Sequence, residues 1–119
     1  MLRLGWFSTG RGEGSRGLLQ LAREQIQAGA LDARVEFVFS NRGRGEAEGS
    51  DLFFKMVEAY RLPLVALSSR QFRREHGGGP MAQHRAAFHH EVMSLISSFR
   101  PDILVLAGYM LIASGDICR

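Results

Sequence analysis

The sequence predicts an α/β fold: an open, mostly parallel sheet with helices on both faces. Three observations predict it. Four short apolar or β-rich runs, at residues 2–8, 35–39, 62–67 and 103–107, alternate with three stretches of helical periodicity. The last run, Ile103-Leu104-Val105-Leu106-Ala107, is apolar without a break. That is the pattern of a strand covered on both faces, so it is expected at the centre of its sheet. The length, 119 residues and 13.2 kDa, suits one domain. Area scaling gives about 6,400 Å² folded against about 19,000 Å² unfolded, enough burial for one core.

Each element has its own local reason. Leu2-Arg3-Leu4-Gly5-Trp6-Phe7-Ser8 is short, apolar and bounded by glycine, a buried strand. Residues 9–17 hold four glycines and read as a loop. Leu18, Leu21, Ala22, Gln25, Ile26 and Gly29 then fall on one helical face, with Gly29 as the stop. Val35-Glu36-Phe37-Val38-Phe39 is the second strand, completing a βαβ unit. Residues 42–49 read as a loop, and Ser50 is the expected N-cap of a helix carrying Leu52, Phe53, Met56, Val57 and Tyr60. Leu62-Pro63-Leu64-Val65-Ala66-Leu67 is the third strand, with Pro63 tolerable at its start. Residues 68–80, rich in charge and glycine, read as a mobile loop. Phe88, Val92, Leu95, Ile96 and Phe99 define the third helix, which Pro101 stops before the fourth strand.

Composition excludes several classes. Apolar residues at 45% and charged residues at 23% argue against disorder and collagen. No apolar run approaches the ~20 residues of a membrane span, and the apolar stretch in residues 1–7 is too short for a signal peptide. The net charge of +3 suits phosphate or nucleic acid. The arginines are scattered, however, apart from Arg42 with Arg44 and the group Arg70, Arg73 and Arg74, so neither nucleic acid nor membrane is expected as a partner. Cys118 is the only cysteine, which rules out an internal disulfide, disfavours a cysteine metal site and fits a reducing cytoplasm.

The strongest chemical signal is the glycine loop. It leaves a strand and opens a helix, where free N–H groups and the positive end of the dipole favour an anion. Arg11 and Arg16 add charge. Gly12-Glu13-Gly14-Ser15-Arg16-Gly17 satisfies G-x-G-x-x-G, but the second strand ends in Ser40-Asn41-Arg42, without the acid that binds an NAD ribose. Arg42 would suit NADP instead. No Walker lysine is present, so a monoester phosphate is the simplest ligand. No metal is expected: His84, His89 and His90 lack zinc-pair spacing, and His90-Glu91 is followed by Ser94 where H-E-x-x-H needs histidine. Ser8 and Ser15 lack a G-x-S-x-G context. Gly108 permits a sharp exit from the fourth strand, and residues 110–113 are apolar enough to line a flat aromatic ligand at the sheet edge where such folds bind ligands.

From Leu2 onward the chain resembles the N-terminal half of phosphoribosylglycinamide formyltransferase. Gly12-Glu13-Gly14-Ser15-Arg16 stands where that family has G-x-G-S-N, and Phe39-Ser40-Asn41-Arg42 is similar to its second-strand end. His84-Arg85-Ala86-Ala87-Phe88 resembles S-R-x-x-[YF]. Pro101-Asp102, followed by Leu104-Val105-Leu106-Ala107-Gly108-Tyr109-Met110, resembles P-D-x-x-V-L-A-G-[FY]-M. The resemblance implies a Rossmann-like sheet and formyl transfer from 10-formyltetrahydrofolate to the amine of a phosphoribosyl substrate in cytoplasmic purine synthesis. Gly12, Gly14, Ser15 and Arg16 would hold the substrate phosphate. Arg85, Met110, Leu111, Ile112 and Ala113 would contact the folate. A homodimer is the assembly it admits.

Three positions depart from the family pattern: the loop between Ser8 and Gly12 is about two residues longer, Arg16 replaces Asn, and Leu111 replaces Arg. The family's catalytic Asn, His and Asp would lie beyond Arg119, so no catalytic residue is expected within the chain. Residues 1–119 read as a single phosphate-binding domain that is a truncated N-terminal half, leaving an unpaired strand edge and an apolar patch at Tyr109, Met110, Leu111 and Ile112. Two other readings stand beside this one: a nucleotide-binding module of NADP type around Gly12, Gly14, Gly17 and Arg42, and a non-catalytic fragment completed by a partner chain.

Overall fold

The computed structural model describes residues 1–107. Four parallel strands, β1 (Leu2–Phe7), β2 (Ala33–Ser40), β3 (Leu64–Ala66) and β4 (Ile103–Leu106), form one sheet in the order β3-β2-β1-β4. The helices are α1 (Glu13–Gln27), α2 (Glu48–Ala59), α3 (Ser69–Glu75) and α4 (Arg85–Leu95), with a 3₁₀ turn at Met81–Gln83. Parallel strands require crossovers, and helices fill them. The chain therefore has the Rossmann-like α/β architecture expected from its alternating pattern.

Strand side chains alternate between the two faces, and two cores result. Trp6 and Val38 join Leu19 of α1 and Phe53, Phe54 and Val57 of α2 on one face. Phe7, Phe37 and Phe39 join Phe72 of α3 and Phe88, Val92 and Ile96 from and beyond α4 on the other. Phe7 packs against Phe37 and Phe39 with centroids 6.0 and 5.2 Å apart. Gly5 lets the three strands close: a Cβ there would lie 2.7 Å from the Phe37 ring and 2.8 Å from Leu104. A bulge between Leu4 and Gly5 adjusts the register against β2. At the other side Asp102 clips β4 to β1, since its N–H donates to the Arg3 carbonyl at 2.7 Å and its carboxylate accepts from the Arg3 N–H at 2.9 Å.

The structure corrects five local expectations. First, α1 begins at Glu13 rather than after the glycines, and its buried stripe is one residue away from the expected one: Leu19 is buried whereas Leu18 and Leu21 are about half exposed. Second, Ser50 is not an N-cap. Ala47 occupies that position, and Ser50 sits inside α2 with its hydroxyl donating to the Thr9 carbonyl at 2.9 Å. Third, residues 68–80 are not a simple loop, because α3 forms there. Ser68 caps it by accepting from the Gln71 N–H at 3.1 Å, and Phe72 anchors it edge-on against Phe88, 5.3 Å between centroids. Fourth, α4 ends at Leu95, before Phe99 and well before Pro101. Fifth, β4 lies at an edge of the described sheet, not at its centre, with Ile103 and Leu106 46% and 47% exposed. Its apolar run is real, but among the described residues nothing pairs on its outer side. Gly29 behaves as expected, taking φ +77° just past the helix end.

Candidate functional site

The C-terminal ends of β1 and β2 and the start of α1 converge on one edge of the sheet, where open α/β folds bind ligands. The loop from Ser8 to Gly12 is tightly specified. Ser8 is fully buried; its N–H donates to the Phe39 carbonyl at 2.9 Å and its hydroxyl accepts from the Gly10 N–H at 3.0 Å. Gly10 takes φ +64° against the Phe53 side chain, where a Cβ would fall 2.1 Å from the ring. Only glycine satisfies both the angle and the space.

Arg16 is placed differently from the free phosphate ligand that its loop position suggests. One of its guanidinium nitrogens, Nη1, donates to the carbonyls of Gly10 at 3.0 Å, Arg11 at 2.9 Å and Gly49 at 3.3 Å. It clamps the long β1–α1 loop onto the first turn of α2. Gly49 is required there, since a Cβ would lie 2.0 Å from the Arg11 carbonyl oxygen and 2.7 Å from Arg16 Nη1. Together Gly49 and the Ser50 hydroxyl form the second half of the loop's support. Nothing in the local pattern around residues 42–49 signals this role, because the contact spans 33 residues.

Gly12, Gly14 and Ser15 sit at the open mouth of this arrangement. Gly12 occupies the N-cap with no side-chain cap, and the first intrahelical bond runs from the Arg16 N–H to the Gly12 carbonyl at 3.2 Å. The preceding N–H groups of α1 thus lack helical partners. A Cβ on Gly12, Gly14 or Gly17 would meet nothing within 4 Å. Approach to the helix start is open, and the dipole there favours an anion. The Glu13 carboxylate in the first turn carries the opposite preference and sits exposed beside it.

Arg85 opens α4 on the other face of the sheet, and its Nε is buried without a hydrogen-bond partner. A helix returning between parallel strands starts at their C-terminal edge, so Arg85 and the α1 start share that edge while belonging to opposite faces. One turn on, burial first and then the Arg85 charge hold the His89 imidazole below its usual pKa, so it is neutral at pH 7. His84 donates from Nε2 to the Gly78 carbonyl at 2.6 Å, and no group of three metal-ligating side chains occurs among the described residues. Met110, Leu111, Ile112 and Ala113, together with the Tyr109 patch and the Gly108 exit, lie outside the described residues. A cavity of about 640 Å³ lies elsewhere: Ile96, Phe99, Arg100 and Leu104 line it along the β4 edge.

This edge, with a glycine-opened helix start beside it, belongs to a Rossmann-like α/β scaffold. The fold is similar to the crystal structure of phosphoribosylglycinamide formyltransferase from Bacillus halodurans, with a TM-score of 0.63 and 22% identity over 95% of this chain. The chain spans 48% of that enzyme's length. No family model matches the chain, and no curated protein matches it. At that identity the likeness establishes the architecture.

Proposed function

We propose that this chain is the substrate-binding part of a formyltransferase acting on a phosphoribosyl amine, with 10-formyltetrahydrofolate as the donor. The observation that carries the reading is the uncapped, glycine-opened start of α1 at the C-terminal edge of a sheet similar to a formyltransferase's. In this reading the free N–H groups at Glu13, Gly14 and Ser15 hold the substrate phosphate, and Arg16 keeps the loop in shape while its remaining N–H groups stay available to the anion. Arg85 suits the donor side, because its unpartnered buried Nε offers a hydrogen bond that a folate carboxylate would accept. The donor would supply the formyl group: its N10–carbon bond breaks as the amine–carbon bond forms, and the proton lost by the amine ends on N10 of the tetrahydrofolate product. The groups that stabilise the oxyanion and move the proton are not assigned to any residue of this chain.

Amide exchange tests the binding half of this reading. Glycinamide ribonucleotide should slow exchange in residues 13–16 more than NADPH does. Stronger protection by NADPH, lost in Arg42→Ala, would replace the formyltransferase reading with the NADP-type module, which the position of Arg42 just past β2 favours.

A further inference from the structure

Three arginines on the α3 side of the sheet have no role in the formyltransferase reading. Arg42 lies two residues past the end of β2, and Arg70 and Arg73 are three residues apart on α3, a spacing that places them on one face. The Asn41 carbonyl accepts from the Ser69 N–H at 3.0 Å and from its hydroxyl at 3.3 Å, which pins the start of α3 against the residue preceding Arg42. A pocket of about 170 Å³ results, lined by Arg42, Ser69, Arg70 and Arg73.

The charge in this pocket is uncompensated. Arg3, Arg34 and Arg44 each meet a carboxylate, whereas Arg42, Arg70 and Arg73 form no ion pair and no side-chain hydrogen bond among the described residues. The acids nearest in sequence are engaged elsewhere: Glu46 accepts from the Ser68 hydroxyl and the Gly43 N–H, and Glu75 accepts from Gln71. Arg42 Nε is also buried with no acceptor. A buried donor without a partner and three converging like charges both disfavour an empty pocket. An anion with several acceptor oxygens relieves both.

We propose that the Arg42–Ser69–Arg70–Arg73 pocket binds the phosphate group of a phosphate monoester. Guanidinium forks match phosphate oxygens in pairs, and the dianion answers three positive charges better than a carboxylate does. The volume is below the roughly 300–1,000 Å³ of whole-ligand pockets, so it holds one charged group, with the rest of the molecule lying across the sheet edge. This site is separate from the α1 start. α3 packs on the Phe7 and Phe88 face, while α1 packs on the Trp6 and Leu19 face.

The test titrates the full 119-residue chain with inorganic phosphate at constant ionic strength, following arginine Nε–H and backbone amide signals by ¹⁵N NMR. Saturable shifts of Arg42, Arg70 and Arg73 are expected. The double variant Arg70→Gln, Arg73→Gln should weaken the Arg42 response at least tenfold while leaving the phosphate response of Gly14 and Ser15 unchanged; its amide dispersion confirms that it folds. Ribose 5-phosphate, and NADPH against NADH, then separate a sugar phosphate from a nucleotide 2′-phosphate as the source, and a response to either upholds the site. Phosphate shifts confined to Gly14 and Ser15, or arginine shifts that chloride reproduces, would overturn this proposal and leave the α1 reading standing. Arginine shifts without those amide shifts would support the pocket and count against the α1 reading.

Discussion

At the residue scale, the glycines divide by what stands behind them. Gly49 faces the Arg11 carbonyl and Arg16. Gly49→Ala must push backbone aside, and overpacking of this kind costs about 1–3 kcal/mol. Gly17 lies inside α1 with open space where a Cβ would go. Gly17→Ala should therefore stabilise by up to about 1 kcal/mol, the helix-propensity difference. Urea denaturation of the two variants checks both signs; equal effects would mean that the Arg16 clamp is not formed. His89 gives a pH prediction. Its folded pKa lies below the ordinary 6.5 because burial and Arg85 disfavour the imidazolium. Below about pH 6.5 the unfolded chain binds a proton that the folded chain resists, so this contribution to stability is complete above that pH and falls as pH drops through the folded pKa. His89→Gln should flatten the slope of stability between pH 7.5 and 5.5, measured by denaturation at each pH. An unchanged slope would assign the effect to other groups.

At the element scale, α3 shows what periodicity cannot report. Residues 69–75 contain one apolar anchor, Phe72, among charged neighbours, and no amphipathic stripe can be read from a single residue. The helix exists because Ser68 caps it and Phe72 finds Phe88 across a long sequence gap. Phe72→Ala should cost about 3–5 kcal/mol and Ser68→Ala about 1 kcal/mol. Hydrogen exchange should localise the Ser68→Ala loss to α3, and loss of protection spread evenly over the chain would show that α3 is no separate unit. The same reasoning explains α1. Leu18, Leu19, Leu21 and Ala22 offer two overlapping stripes, and only the tertiary partner Phe53 region decides that Leu19 goes inside. Strands were more legible, because β-branched and aromatic runs between glycines and prolines have few other uses, although β3 is cut to three residues.

At the scale of the whole molecule, the alternation of strands and helices was enough to read a parallel α/β sheet, and the position of the glycine loop was enough to place an open helix start at its edge. The strand order was not legible in the same way. An unbroken apolar run says that a strand can be covered on both faces, but not which strands flank it, and β4 closes the described sheet at its edge. Exposed edges recruit other strands. The 119-residue chain should therefore gain mass with concentration in light scattering, and Ile103→Lys, placing a charge on the half-exposed edge, should reduce that gain. A concentration-independent monomer would show that the edge is covered in solution. A crystal structure of the chain with glycinamide ribonucleotide tests the proposed anion site at the start of α1. The phosphate should lie within about 3 Å of the N–H groups of Gly14 and Ser15, the hydrogen-bond distance, with Arg16 Nη1 still clamping the loop. A ligand phosphate bound elsewhere, with the α1 start empty, would contradict it.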